Sequence, residues 1–418
     1  MLQLPDLLTS DNAQPLLAAS CLAVALIYPY RKSFITVARW IDEFGPLVTI
    51  RQGTEKIVII GRHKAVVDIM EKQGGASADR PPMISAGEML SGGQSIAFSH
   101  AGDRLRLMRR ALHSHLQPRT AEAYEPLQFA YAKNAVIDIL EDPHNFQNHA
   151  LTFTASTIMK IAYGKTTRTY ATDPEVKDVR RRFMALSVSM RPGAYLVDSI
   201  PWLKYTPWYG RDLTREFERG KKLYFSQLNR VKDQLVSISL PIFTSAIFPE
   251  EQAKVHAELD AVIGRNRDGG RLLLKESLTE QLKTVTGQEN YCIPAGTTVV
   301  GNHWAISRDP DVFPDPHAFN PERWLNDQGN LRDDLKFYVF GFGRRVCPGQ
   351  HLASRAVTIH SVLVLWAYQL ALDKSKPVDD TGYMSGVVPD IQPCTVGFQA
   401  RISESDLRRL MQSDSEVL

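Results

Sequence analysis

Residues Phe340 to Gly349 constrain the fold of this chain more than any other stretch. They read Phe-Gly-Phe-Gly-Arg-Arg-Val-Cys-Pro-Gly and run into Gln350-His351-Leu352-Ala353. The two glycines before Cys347 allow a tight backbone that approaches its neighbours closely. Pro348 stands where a helix should begin. From Leu352 apolar residues recur at helical spacing, at Val357, Val362, Leu363 and Trp366, which predicts a helix. Cys347 is thereby placed in a glycine-bent loop at a helix start, where backbone N–H groups and the helix dipole favour a thiolate over a thiol. Arg344 and Arg345 add positive charge beside it. A thiolate held in this way is a ligand or a nucleophile. His351 lies one turn further on, at the spacing of two metal ligands on one face. A zinc site would need two more ligands nearby, and the sequence offers none.

This stretch resembles the heme-binding loop of the cytochrome P450 monooxygenases. The family's Phe, Gly, Arg, Cys and Gly fall on Phe340, Gly343, Arg345, Cys347 and Gly349 with the right gaps. A lone cysteine near a helix start is usually a small buried hydrophobe; five positions in register are a far more specific signal. The resemblance implies that Cys347 is the proximal thiolate of the iron of heme b. It implies that Arg345 pairs with a heme propionate and that Phe340 packs near the thiolate.

The chain has 418 residues, enough for a large core or two domains. Its 49 basic and 46 acidic residues leave a formal charge of only +3, which argues against a nucleic-acid partner. Four scattered cysteines show no disulfide or zinc spacing, which fits a reducing or cytosol-facing location.

Leu16 to Tyr28 is an uncharged apolar run followed by Arg31 and Lys32. It is shorter than the roughly 20 residues a spanning helix needs. A signal-peptide core, a buried helix and a short anchor all fit a run of this length. The resemblance to microsomal fungal members implies the anchor. Residues 1–30 are then a weak or shortened membrane anchor and residues 31–418 the heme domain. The expected location is the endoplasmic reticulum membrane with the catalytic domain facing the cytosol.

Further along, Leu47–Ile50 and Ile57–Ile60 predict short strands around a turn at Gly53. A helix with Ala65, Val66, Ile69 and Met70 on its apolar side follows, and then Asp79-Arg80-Pro81, which matches a loop of the family. Gly102 to Arg110 opens a helix rich in arginine. A solvated basic face is the plain reading. The resemblance places here the helix whose Trp and Arg hold a propionate. Arg109 keeps the arginine, and Leu105 replaces the tryptophan. Arg104, Arg106 and Arg110, with Arg344, would then form one basic face for an electron donor. The implied donor is NADPH-cytochrome reductase, with cytochrome b5 as a second candidate.

Residues 120–235 predict helices with breaks near Arg191-Pro192-Gly193 and Ile200-Pro201-Trp202. The stretch Met184 to Trp208 lies over the substrate pocket in the family, where it touches substrate or membrane. Phe248 to Gly264 predicts a helix with Pro249 in its first turn. The family's long central helix should carry an Ala-Gly-x-Asp/Glu-Thr segment, and no such run occurs. Val236 to Phe248 matches only its last turns, and Pro241 interrupts them. The Glu-x-x-Arg position reads Glu276 and Thr279, so the arginine that should join Glu276 and Arg323 is missing. The match resumes at Tyr291 and continues through Pro310. Val387 to Phe398 predicts a hairpin; the resemblance implies that its tip enters the substrate pocket with Val387 and Val388, and plain core packing fits these residues equally.

The expected fold is mainly α with a small β region, the α+β architecture of the cytochrome P450s. The expected function is insertion of one oxygen atom of O2 into an apolar small-molecule substrate, in fungal secondary metabolism. The alternative is a non-catalytic heme-binding remnant that lacks the oxygen-activating helix.

Overall fold

The computed structural model of the chain describes residues 33–52, 55–191, 193–247, 285–286, 292–332, 335, 338–373, 375 and 395–412, with the backbone alone described over 232–247 and 285–286. Several sequence expectations lie outside these residues: the N-terminal anchor, the Gly53 turn, the helix from Phe248 to Gly264, Glu276, Thr279, and the tip with Val387 and Val388. Among the described residues no helix is long and apolar enough to cross a membrane.

The chain enters through helix α1 (Ser33–Phe44), whose Val37, Ala38 and Ile41 are buried against Ala305 and the small sheet. That sheet is built from β1 (Leu47–Gln52) and β2 (Glu55–Ile60), antiparallel in the register Leu47 to Ile60. In β2 the apolar residues crowd toward its end, where Val58 and Ile60 are buried. A short helix α2 (His63–Val66) continues directly into a wide, π-type turn over Val67–Lys72. Ala65, Val66 and Ile69 are buried there, on the side the spacing predicts.

The helical layer follows. It comprises α3 (Asp103–Leu116), α4 (Pro118–Ala123), α5 (Glu125–Glu141), α6 (Phe146–Tyr163), α7 (Pro174–Ser189) and α8 (Arg211–Ile247). Pro118 opens α4 and Pro174 opens α7, where a missing N–H costs nothing. Gly164 ends α6 in the left-handed conformation that glycine adopts without strain. The expected breaks fall as short 3-10 turns at Leu196–Asp198 and Pro201–Tyr205. In contrast to the sequence expectation, Pro241 does not interrupt α8. A proline inside a helix removes one N–H bond and bends the axis, while the bonds on either side carry the helix through.

The later part adds β3 (Val285–Thr286), β4 (Cys292–Ile293), β5 (Thr298–Gly301) and α9 (His303–Ile306). β5 joins β2 in parallel, so residues more than two hundred positions apart close one sheet. Helix α10 (Gln350–Ala367) follows Cys347 and leads into β6 (Tyr368–Leu372), which pairs antiparallel with β7 (Val396–Ala400). Thus Phe398 lies in a strand as expected, but its partner is β6, on the far side of the stretch read as a hairpin. Helix α11 (Glu404–Gln412) closes the described chain.

Two cores result. The sheet-side core joins Val58, Ile60, Val66, Ile69 and Ile306 to Tyr338 and Phe342 of the cysteine loop. The helix-side core joins Val136 and Ile139 of α5 to Val364, Ala367, Tyr368, Leu407 and Met411. The buried face of α10 is Leu352, Ile359, Val364 and Ala367, with Leu363 partly buried beside it, so the residues singled out from the sequence fall on this face only in part. Val357, Val362 and Trp366 are exposed, because α5 and α6 pack on the opposite side. An apolar period identifies a helix, but it cannot rank two apolar faces when both carry valine and leucine.

Leu407 of α11 is fully buried in the helix-side core. Leu407→Ala is expected to lower stability by about 2–5 kcal/mol, through lost burial and a residual cavity. A fall in the unfolding midpoint measured by denaturant titration checks this. An unchanged midpoint would show that α11 does not contribute to the core.

Candidate functional site

The site is a loop suspended between the two cores. Its first half turns through Gly341 and Gly343, both at positive φ. At Gly343 the requirement for glycine is absolute: φ is +50°, and a Cβ there would lie 2.1 Å from the Met70 carbonyl oxygen. The loop therefore presses backbone to backbone against the wide turn that ends α2. The Gly343 N–H donates to the Glu71 carboxylate at 3.1 Å, which fixes the contact. Phe342 is buried, stacked on His303 with ring centroids 5.0 Å apart, and a Cβ on Gly301 would lie 2.9 Å from its ring. The sequence did not single out Phe342; its alternation with Phe340 was the available signal.

The loop closes on Cys347. Its N–H donates to the Phe340 carbonyl at 2.8 Å, and its own carbonyl accepts from Gln350 N at 3.3 Å as α10 begins. The thiol is half-buried and free. A Cβ on Gly349 would lie 3.9 Å from the sulfur, so glycine keeps that side of the thiol clear of a side chain. Phe340, Gly343, Arg345, Cys347 and Gly349 are thus brought together as expected, although Phe340 contributes its carbonyl rather than a fully buried ring.

Two arginines tie the loop to the rest of the chain. Arg109, from the middle of α3, donates to the Val346 carbonyl at 2.9 Å. Arg345 reaches out of the loop, donating from Nε to Ala78 O at 2.5 Å and from Nη2 to Ser99 O at 2.6 Å. Leu105, which stands at the tryptophan position, is buried. Burial holds the Arg345 pKa below its usual value, and the charges of Arg80 and Arg109 add to the effect against the opposing pull of Asp79.

Asp79 is a hub that sequence reading passed over as part of a loop match. Its Oδ1 accepts from the N–H of Arg80 at 2.8 Å and of Ala101 at 2.8 Å, and lies 3.1 Å from His100 Nδ1. Burial opposes its ionisation, but the bonds from Ala101, Arg80 and His100 outweigh burial and hold its pKa below the ordinary carboxylate value.

The other arginines divide. Arg104, Arg106, Arg110 and Arg344 are all exposed, and Arg106 pairs with Asp103. They do not share one face as expected. At 3.6 residues per turn, Arg104 lies about 160° around α3 from Arg106, whereas Arg106 and Arg110 stand one turn apart on one side. Arg323 donates to the carbonyls of Asn320, Asp315 and Ala318 at 2.9–3.1 Å. Backbone oxygens therefore satisfy the cation within its own loop.

Acidification tests the Asp79 hub. A carboxylate with a depressed folded pKa stabilises the fold above the unfolded pKa of about 3.9 and loses that contribution as pH falls through the folded value. The neighbouring charged groups are His100, Arg80 and Arg345. Asp79→Asn is expected to flatten the decline of thermal stability below about pH 4 relative to the parent. Parallel curves for the two proteins would assign the acid sensitivity elsewhere.

The family model described as Cytochrome P450 matches residues 26–240 and 274–396. Cytochrome P450 monooxygenase 64 of Postia placenta is 36% identical over 442 positions, which takes in 91% of this chain and 88% of that protein. Cytochrome P450 monooxygenase 113 of the same fungus is 36% identical over 90% of this chain and 89% of its own length. A cytochrome P450 monooxygenase of Armillaria gallica is 26% identical over 93% of this chain and 89% of its own length. The first of these alignments runs over 442 positions against a chain of 418 residues, so that relative carries internal positions with no counterpart here.

Proposed function

Because this chain belongs to the cytochrome P450 family, whose members are heme-thiolate monooxygenases, we propose that Cys347 supplies the axial thiolate of its heme iron. The single observation that carries the assignment is the loop itself: a free, half-buried thiol in a glycine-bent turn, hydrogen-bonded back to Phe340 at the head of α10. The residues present fit the cofactor. The Arg345 guanidinium lies within reach of the charges of Arg80 and Arg109, with the Asp79 carboxylate opposing them. Such a surplus of positive charge suits a ligand bearing two carboxylates. Bound heme supplies the activation of O2 with two electrons from a reductase, one oxygen atom entering the substrate and the other leaving as water.

The chain's own groups do the holding. Gly343 lets backbone lie where a side chain would obstruct. The Phe340 carbonyl orients the Cys347 amide. Arg109 braces α3 against Val346, and Arg345 spans two neighbouring segments and would offer its charge to a carboxylate of the heme.

The finer assignments are ours. The electron donor is NADPH-cytochrome reductase, with cytochrome b5 as an accessory donor, and the substrate is an apolar small molecule. Residues 1–30 tether the heme domain, 31–418, to the endoplasmic reticulum membrane, facing the cytosol. The fungal relatives and the apolar run at Leu16–Tyr28 support this, as they do a role in secondary metabolism. A formal charge of +3 supports no nucleic-acid partner.

The ligand assignment predicts that the protein, reduced under carbon monoxide, shows the red-shifted Soret band of thiolate ligation, and that Cys347→Ala loses it. A variant that keeps the band would remove Cys347 from the iron. Heme uptake with no oxygenated product from any apolar substrate would instead mark a non-catalytic remnant.

Arg106 and Arg110 are exposed on one side of α3, the helix that Arg109 ties to the loop, and Arg344 is exposed in the loop itself. Reversing Arg106 and Arg110 to glutamate is expected to slow reduction by the reductase at low salt. The gap to the parent should narrow as salt rises, since exposed charges are screened within about 10 Å at 0.1 M. Stopped-flow reduction rates decide it; rates indifferent to both charge and salt would exclude steering by this face.

A further inference from the structure

Cys347 lies between two main-chain carbonyls that are held by side chains from other helices. Arg109 of α3 holds Val346 O on one side. On the other, Gln128 of α5 donates from Nε2 to Leu352 O at 3.1 Å, in the first turn of α10. Gln128 is wholly buried, and so is the bond it makes. Beside it, partly exposed, Glu125 of α5 pairs with Arg355 of α10. Two contacts about one turn apart on α5 thus clasp the start of the helix that follows the cysteine. Further along, Tyr131, Ala132 and Ala135 pack on Ile359.

Glutamine is a poor choice here for stability alone. Its Oε1 is buried and has no partner among the described residues. One net bond from Nε2 is set against the lost hydration of Oε1, which costs as much as such a bond contributes, or more. Methionine has the same reach, packs readily and would orphan no acceptor. Nor does Leu352 O need Gln128 for a partner, since in a regular helix it accepts from the Ala356 N–H. What the amide adds is direction. Apolar packing between two helices tolerates small shifts, whereas a buried bond to one carbonyl specifies one arrangement. The turn it fixes is the one that carries the sulfur. Leu352 stands five positions beyond Cys347, and the intervening N–H groups of Gln350 and Ala353 close onto Cys347 O and Gly349 O. The cysteine backbone therefore moves with this turn.

We propose that Gln128 is a positioning residue for the axial ligand, which fixes the first turn of α10 through Leu352 O and so sets where the Cys347 sulfur stands. This rests on the reading that Cys347 binds heme iron. It adds a neutral residue of α5 that acts only through the backbone of α10, opposite the charged brace from Arg109.

The test uses the full chain loaded with heme. The parent is compared with Gln128→Met, with Gln128→Glu and with Ile139→Ala. The last is a control about three turns further along α5, in the helix-side core. Three quantities are read: the iron–sulfur stretching frequency by resonance Raman, the rate of heme loss to excess apomyoglobin, and the thermal midpoint of the apoprotein. Gln128→Met is expected to keep the midpoint of the parent, to lower the stretching frequency, and to lose heme about tenfold faster, the size of a lost contact behind a metal ligand. Gln128→Glu should recover part of both, because burial favours the neutral carboxyl, whose O–H still donates. Ile139→Ala should lower the midpoint and leave the stretching frequency where it is.

A Gln128→Met protein with the parent's frequency and heme retention would overturn the proposal. So would a frequency that moves equally in Ile139→Ala, which would make Gln128 a merely structural residue. If Gln128→Met does not fold, Gln128→Glu decides against the same control: a frequency between those of the parent and the heme-free thiol's loss of signal supports positioning, and one equal to the parent's in a chain that loses heme no faster overturns it. A parent that shows no red-shifted carbon monoxide band would instead overturn the reading beneath.

Discussion

The contact of Gly343 with the Met70 carbonyl is the constraint on which the site depends. It brings two backbones, more than 270 positions apart in sequence, closer than any side chain would permit. Everything around it follows from keeping that approach. Glu71 turns its carboxylate to the Gly343 amide, Phe342 fills the space beneath Gly301, and Arg345 extends the other way to hold Ala78 and Ser99. The thiol of Cys347 is positioned by these contacts before any ligand arrives. That is the preorganisation a rigid ligand needs.

The loop belongs to both cores at once. Tyr338 and Phe342 are members of the sheet-side core, while α10, which begins three residues after Cys347, joins the helix-side core through Val364 and Ala367. Buried hydrogen bonds tie that second attachment. Gln128 Nε2 donates to Leu352 O at 3.1 Å, and the Tyr368 hydroxyl donates to Val136 O at 2.7 Å. A disturbance in either core therefore reaches the cysteine, because the loop has little slack between its attachments.

Electrostatics around the loop are lopsided for a reason the sequence shows only in part. The run Arg344-Arg345 and the arginine-rich start of α3 are plain in the sequence. Their division of labour is not. Arg345 and Arg109 spend donors on carbonyls, Arg323 does so within its own loop, and Arg106 and Arg110 face water. Type and spacing say where charge is; only neighbouring backbone says which charge is used.

The cysteine loop, the helix after it, the first two strands and the breaks among helices 120–235 were all legible, because each rests on local rules: glycine at positive φ, proline at a first turn, alternation in a strand. The family itself was legible for the same reason, since five residues in a fixed frame encode one local geometry. What sequence reading missed was settled at long range. Alternation could not say that β7 pairs with β6, nor periodicity that α10 buries Ile359 and leaves Val357 and Trp366 exposed. Three arginines along one helix read as one face until the helical rotation separated Arg104 from Arg106 and Arg110. The Asp79 hub had no local signature at all, for its meaning lies in the amide of Ala101 and the ring of His100. By itself the sequence determined the chemistry-bearing loop and the class of fold, which depend on neighbours in the chain. The tertiary structure decided which faces are buried, which strands pair and which cations are left to hold a ligand, because those depend on groups that only folding brings into contact.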